Sequence, residues 1–157
     1  MIDFTEGNRR FNCRVAGVMV HDGHVLLHTM EDADYWILPG GRVELGETST
    51  DALQREMREE LGQDIQVGRL LWIAESLLRL DGRLVHGIGL YYAMALADVE
   101  RFLAPGETFA AIDSGVRLTF AWHPLRRLDE VDVRPPFLRQ GLRALPEHPT
   151  HILDIRA

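Results

Sequence analysis

The chain has 157 residues, 46% hydrophobic and 26% charged, which is enough for one substantial core and too short for two ordinary domains. Residues 1–157 therefore read as a single domain. A net charge of −7 and a pI near 5.4 argue against a protein that grips a nucleic-acid backbone by charge alone. An acidic protein can still hold a polyphosphate when divalent cations bridge the two sets of negative charge, and the sequence must then supply a metal site.

Cys13 is the only cysteine, so no disulfide forms within the chain, and a buried, unreactive thiol in a reducing compartment is expected. Met1 to Arg10 is polar and charged, without the apolar core of a signal peptide, and no segment has the length to span a bilayer. A cytoplasmic protein with no membrane partner is the expectation.

In chain order, Phe11 to Val20 is apolar and β-branched, and Asp22-Gly23 is a two-residue hairpin signal leading into Val25 to Met30. Trp36-Ile37-Leu38 reads as a short strand halted by Pro39-Gly40-Gly41. A helix is predicted from about Ser49 to Leu61, with Thr48, Ser49 or Thr50 as its N-cap and Gly62 as its stop. A second long hairpin turns at Asp81-Gly82, between Gln66–Leu80 and Leu84–Ala97. Asp98 to about Arg117 reads as a loop, and Arg117 to Trp122 as a strand. Pro135-Pro136 opens a predicted helix from Phe137 to about Leu145, and His151 to Ile155 forms a last strand. Two antiparallel hairpins and two helices imply an α/β protein whose mixed sheet is covered by helices on both faces.

The segment Gly40 to Gly62 is the most informative. With Leu53 at zero on a helical wheel, Met57 and Leu61 fall at about +40° and +80°, forming an apolar stripe. Glu60, Glu56 and Glu59 fall at about −20°, −60° and −120°. Glu60 thus faces the core or its margin. A solvated face with pairs such as Arg55–Glu59 is the ordinary reading of such alternation. It does not account for like charges at Glu56 and Glu60, one turn apart, or for a carboxylate against the core. A divalent cation resolves both, because Mg²⁺ takes oxygen ligands from carboxylates, water and substrate phosphates. Gly40-Gly41 also lets the backbone approach a ligand, although these glycines could equally serve an ordinary tight turn.

Gly41, five residues, Glu47, seven residues, then Arg55-Glu56-Met57-Arg58-Glu59-Glu60-Leu61-Gly62 resembles the Nudix box, with all seven of its polar and glycine landmarks present. Trp36 to Gly40 resembles the usual entry to that box. Gln63 departs from it, standing where the family has an aliphatic packing residue. The resemblance implies the Nudix fold, an α/β/α sandwich with a mixed central sheet. It also implies hydrolysis of a diphosphate bond in a nucleoside diphosphate linked to another group, with Mg²⁺ (or Mn²⁺) as cofactor. Carried over by position, Glu56, Glu59, Glu60 and the Gly40 carbonyl hold metal, Glu47 joins that network, and Arg55 orients the carboxylates. The proton acceptor is a box glutamate or an acid of the later loop (Asp98, Glu100, Glu107 or Asp113), with Glu107 preferred.

Substrate contacts are less legible. Tyr35, Trp36 and Trp72 could each stack on a base or belong to the core, with Tyr35 the candidate for stacking and Trp36 read as buried by alternation; His86 is a candidate cleft residue. Arg14, Arg79 and Arg83 could meet phosphates or simply face solvent. Leu77 to Asp81 lacks the proline of some ADP-ribose hydrolases and the tyrosine frequent in dinucleoside-polyphosphate hydrolases. All four box glutamates are kept, unlike in GDP-mannose hydrolases, and an acidic surface does not suit RNA decapping. A small nucleoside triphosphate is favoured, ahead of an uncommon nucleoside diphosphate derivative. The alternative is a Nudix-fold sensor or binding module without catalysis. The resemblance also leaves a homodimer open.

Overall fold

The computed structural model describes all residues, 1–157. In chain order the elements are β1 (Asp3–Glu6), β2 (Arg9–Val18), β3 (Val20–His21), β4 (His24–Met30), β5 (Gly40–Arg42), α1 (Ser49–Leu61), β6 (Gln66–Leu80) and β7 (Arg83–Ala95). There follow α2 (Val99–Phe102), β8 (Thr108–Asp113), β9 (Val116–Pro124), a 3₁₀ segment (Leu125–Glu130), α3 (Leu138–Gly141) and β10 (Thr150–Arg156).

The strands form two sheets. One is mixed, in the order β1-β2-β7-β6-β10 with β5 also paired to β2; β2 runs parallel to β7 and β10 parallel to β6. The other is antiparallel, in the order β3-β4-β9-β8. The predicted strand Phe11–Val20 is interrupted at Met19, whose side chain is buried, and this break lets the chain leave the first sheet at Val18 and enter the second at Val20. Both predicted Asp-Gly turns form, with positive φ at Asp22 and Gly23 and at Asp81 and Gly82, as the twist of a two-residue hairpin demands.

Two apolar clusters hold the layers together. The first packs Leu53, Met57 and Leu61 of α1 against Val15, Val43, Met94 and Phe120. The second packs Leu138 and Leu142 against Val18, Leu71, Trp72 and Leu128. The fold is thus mixed α/β with helical elements packed against a mixed sheet, and α1 is its one long helix.

Three expectations are corrected, and one segment without an assigned element gains one. The polar segment Met1–Arg10 contributes a strand: β1 pairs antiparallel with β2, and Asp3 is held by Arg10 and Arg42. Trp36–Leu38 makes only single bridges, His28 with Ile37 and Trp36 with Val133, because Pro39 and the glycines leave no room for a ladder. The stretch after Asp98 is not an open loop; it holds α2 and then β8, paired with β9 across a Ser114-Gly115 turn with φ of 49° and 81°. The helix expected over Phe137–Leu145 is one turn, Leu138–Gly141. Gly141 is required there, since a Cβ would press on the Trp72 ring, and glycine weakens helix propagation.

Candidate functional site

The glutamate helix is fixed at both ends by local chemistry. Thr48 Oγ1 accepts the Asp51 N–H at 3.2 Å, and Gly62, at φ 64°, donates its N–H to the Arg58 carbonyl at 3.0 Å. Leu53 and Met57 are fully buried, which sets the rotation of the helix. Glu60 then lies only 5% exposed and Glu56 8% exposed, whereas Glu59 is exposed.

Arg55 ties the cluster together. Its Nε and Nη2 donate to the two Glu47 carboxylate oxygens at 3.1 and 2.7 Å, its Nη1 to Glu56 at 3.0 Å and to Glu59 at 3.4 Å, and its Nη2 also to the Arg42 carbonyl at 3.0 Å. Glu47 in turn accepts the Glu44 N–H at 2.7 Å, so one carboxylate links the loop to the helix. These contacts hold the Glu47 carboxyl below its ordinary pKa, chiefly through the Arg55 hydrogen bonds.

Glu60 receives no such help. Its Oε2 is buried without a hydrogen-bond partner. Burial first, then the charges of Glu56 and Asp113, push its pKa up to about 8, and burial raises Glu56 as well. No three acidic or histidine side chains converge into a ready cage, because Glu47, Glu56 and Glu59 turn toward Arg55. The donor set is nonetheless all oxygen and dense in negative charge, and its deepest carboxylate lacks a partner. Those are the properties a hard divalent cation satisfies.

A stability prediction follows for protein stripped of divalent ions. A folded-state pKa of about 8 against an ordinary 4.5 means the folded form holds the extra proton between those values. Stability should therefore fall as pH rises from about 4.5 to about 8, by a few kcal/mol, and level off above that. Urea midpoints at pH 5 and pH 8.5 check this: Glu60→Gln should flatten the slope, and an unchanged slope would remove Glu60 as its source.

The two glycines before the helix are sterically required. Gly40 has φ 155°, and a Cβ there would strike the Val15 carbonyl of β2. A Cβ on Gly41 would fall onto the Glu56 carboxylate. The ordinary-turn reading of this pair gives way to close approach, β2 on one side and Glu56 on the other. Gly41→Ala should displace Glu56 and cost roughly 10- to 100-fold in metal affinity, with a melting temperature that moves far less. Divalent-cation titration against the unmodified protein measures it.

These groups open onto a cleft of about 700 Å³ lined by Gly40, Gly41, Arg55, Glu56, Glu59 and Glu60 at one end and by the mixed sheet along its floor. The volume suits a nucleotide-sized ligand. Tyr35 lines the cleft, with the Arg134 guanidinium 4.2 Å from its ring centroid. Arg14 also lines it, whereas Arg79 and Arg83 do not.

Two predicted site residues lie elsewhere. Glu107 sits in the turn before β8, accepting the Ala104 N–H at 3.4 Å; Asp113, at the opposite end of that strand, lines the cleft and adds to the negative field at Glu56 and Glu60. The cleft-side acid of the later segment is therefore Asp113 and not Glu107, since the two stand at opposite ends of β8 and only Asp113 lines the cleft. His86 lies outside the cleft, edge-on to Phe11 and 3.4 Å from Glu75. Gly87, Ile88 and Gly89 of the same strand line the cleft instead.

His28 was not singled out from the sequence. It is buried, lines the cleft, stacks on Phe120 at 5.0 Å, and burial pushes its pKa down to about 4, so the ring is neutral at pH 7. Its only sequence signal is a polar residue inside the buried run His24–Met30. Trp72 is core, packed against Tyr91 and Phe137.

Comparison with known proteins places this geometry. The chain is 37% identical over 76 residues to a CTP pyrophosphohydrolase of Escherichia coli (strain K12), a match covering 46% of this chain and 55% of the relative. It is 43% identical over 56 residues to the nucleoside triphosphatase NudI of Salmonella agona, covering 32% of this chain and 40% of the relative. The matched stretches thus span about half, or less, of these relatives' lengths. Among solved structures, a NUDIX hydrolase from Nitrosomonas europaea superposes with a TM-score of 0.60 at 23% identity, covering 84% of this chain and 86% of that one. A MutT NUDIX hydrolase from Burkholderia pseudomallei gives 0.54 at 25% identity, covering 74% and 84%. A sequence model of the NUDIX domain matches residues 12–144, which contain the glutamate helix, its glycine entry and most of the cleft floor, and the chain belongs to the Nudix hydrolase family.

Proposed function

We propose that this protein hydrolyses a diphosphate bond in a small nucleotide, a nucleoside or deoxynucleoside triphosphate by preference, with Mg²⁺ (or Mn²⁺) as cofactor. The observation that carries this reading is the cluster of Glu47, Glu56 and Glu59 on Arg55, beside the buried, unpartnered Glu60, at the end of a nucleotide-sized cleft. The names of two relatives, a CTP pyrophosphohydrolase and a nucleoside triphosphatase, support a triphosphate substrate.

Glu56, Glu59, Glu60 and the Gly40 carbonyl would hold the cation, with Glu47 joining directly or through water. Bound there, a divalent ion lowers the pKa of coordinated water and offsets charge on the phosphates. The chain's own residues do the rest. Arg55 fixes the carboxylate orientations from one side, leaving Glu59 as the carboxylate most open to solvent. Asp113, at the cleft, replaces Glu107 as the proton acceptor from the later segment, beside Glu59 as the acceptor from the box. Tyr35 offers one ring face to a base while Arg134 covers the other.

The fold has no helix long and apolar enough to cross a membrane. Burial pushes the Cys13 thiol's pKa up, which suits an unreactive residue, and a cytoplasmic setting remains part of the proposal. The sensor-module reading would require binding without turnover. The test is a phosphate-release screen over nucleoside triphosphates, nucleotide sugars and dinucleotides with Mg²⁺, alongside calorimetric Mg²⁺ titration. Release from a triphosphate that depends on the cation is expected. Mg²⁺ and nucleotide binding without release would favour the sensor, and no Mg²⁺ binding in either condition would sink the enzyme reading.

A further inference from the structure

β10 lies beyond the NUDIX-matched residues 12–144, yet it supplies part of the cleft. It pairs parallel with β6, and strand register sets what it contributes. One cross-strand row runs Arg14–Gly89–Ala74–Ile152, and the next runs Asn12–Gly87–Ser76–Asp154. Arg14 marks the glutamate end, since its charge is felt at Glu60. Asp154 stands three strands away, about 14 Å at ordinary strand spacing.

Between those ends the cleft is lined by Ala74 and Ser76 of β6 and Gly87 and Gly89 of β7. A Cβ on Gly87 would meet Ser76 Oγ at 2.7 Å and Asn12 Oδ1 at 3.3 Å, and one on Gly89 would meet the Tyr91 ring at 2.9 Å. Ser76 and Asn12 thus lean over Gly87 and the Tyr91 ring lies over Gly89, and together with Ala74 they line the cleft between Arg14 and Asp154. Asp154 closes its far end with a side chain only 14% exposed, and Arg156 clamps both carboxylate oxygens through Nε and Nη2, each at 2.8 Å. The carboxylate is oriented by this fork, and each oxygen keeps a second lone pair for another donor.

We infer that Asp154 is a specificity-determining residue of this cleft and that it selects nucleotides whose base carries an exocyclic amine. This rests on the nucleotide reading given above. A carboxylate accepts hydrogen bonds and cannot donate them. The amine of cytosine, adenine or guanine projects beyond the ring and donates to it. The N–H of uracil is flanked by two carbonyl oxygens, which would face the carboxylate and be repelled. Asn12 and Ser76 lie on the same row and can pair with the ring atoms beside the amine.

The experiment compares kcat/KM for CTP, ATP, GTP and UTP in the whole protein with Mg²⁺, before and after Asp154→Asn and Asp154→Ala, with melting temperatures recorded for each. A preference of roughly 10- to 100-fold for amine-bearing bases over UTP is expected, falling to a few-fold in both variants. A merely structural role would lower all four values together and leave the ratios intact, and that outcome overturns the inference. So does equal use of all four nucleotides by the unmodified protein, which leaves the hydrolase reading standing. Failure to cleave any of the four overturns the inference, and the hydrolase reading falls with it if the wider nucleotide screen is inert as well.

Discussion

Glu59→Gln should reduce kcat by about 10²- to 10³-fold or more, the scale seen when one group stabilising charge in a transition state is removed, while the melting temperature stays close to that of the unmodified protein. The contrast comes from position. Glu59 is exposed on α1 and meets only Arg55, at 3.4 Å, so its charge can be removed without opening the core. Glu56 and Glu60 are buried, and their replacement changes stability as well as chemistry. Steady-state rates with the preferred triphosphate, paired with thermal melts, separate the two effects. Near-normal turnover in Glu59→Gln would remove this residue from the metal site.

Arg55→Leu should be the most damaging single change at the site. It removes the one cation that touches Glu47, Glu56 and Glu59 together, leaving a buried carboxylate without its hydrogen bonds. Breaking such a group by removing one partner costs about 3–5 kcal/mol. The Arg42 carbonyl and the loop anchored through Glu47 lose their tie to the helix in the same step. Arg55→Lys keeps the charge but not the fork, so it should recover only part of the stability. Saturating Mg²⁺ should narrow the gap for Arg55→Leu, because a bound cation neutralises the same carboxylates. Denaturant midpoints with and without Mg²⁺ give both numbers. A loss below about 1 kcal/mol, the size of an exposed ion pair, would show that Arg55 is only a surface partner.

Much of this was legible in the chain because its signals are local. Thr48 and Gly62 bound the helix through contacts within one turn, and the Leu53–Met57–Leu61 stripe fixes which way it faces. The burial of Glu60 follows from that rotation, and so does the demand for a cation. Both Asp-Gly turns are likewise local, needing only two residues at positive φ. The spacing from Gly41 to Gly62 then identified the family without any tertiary contact.

Other features depend on partners distant in sequence. Whether Glu107 or Asp113 faces the glutamates is set by the pairing of β8 with β9, and the Ser114-Gly115 turn alone does not reveal which end approaches α1. His86 and Gly87 differ only in strand parity, which a sequence cannot assign to a face until β7 is placed between β2 and β6. The need for glycine at 41 depends on a carboxylate fifteen residues later. Asp154 gains meaning only when β10 lies beside β6, more than seventy residues earlier. The sequence by itself determined the charge-bearing helix, because helical periodicity is a property of neighbours. Which residues line the cleft was decided by the tertiary structure, because a cleft floor is written across strands whose order the chain does not announce.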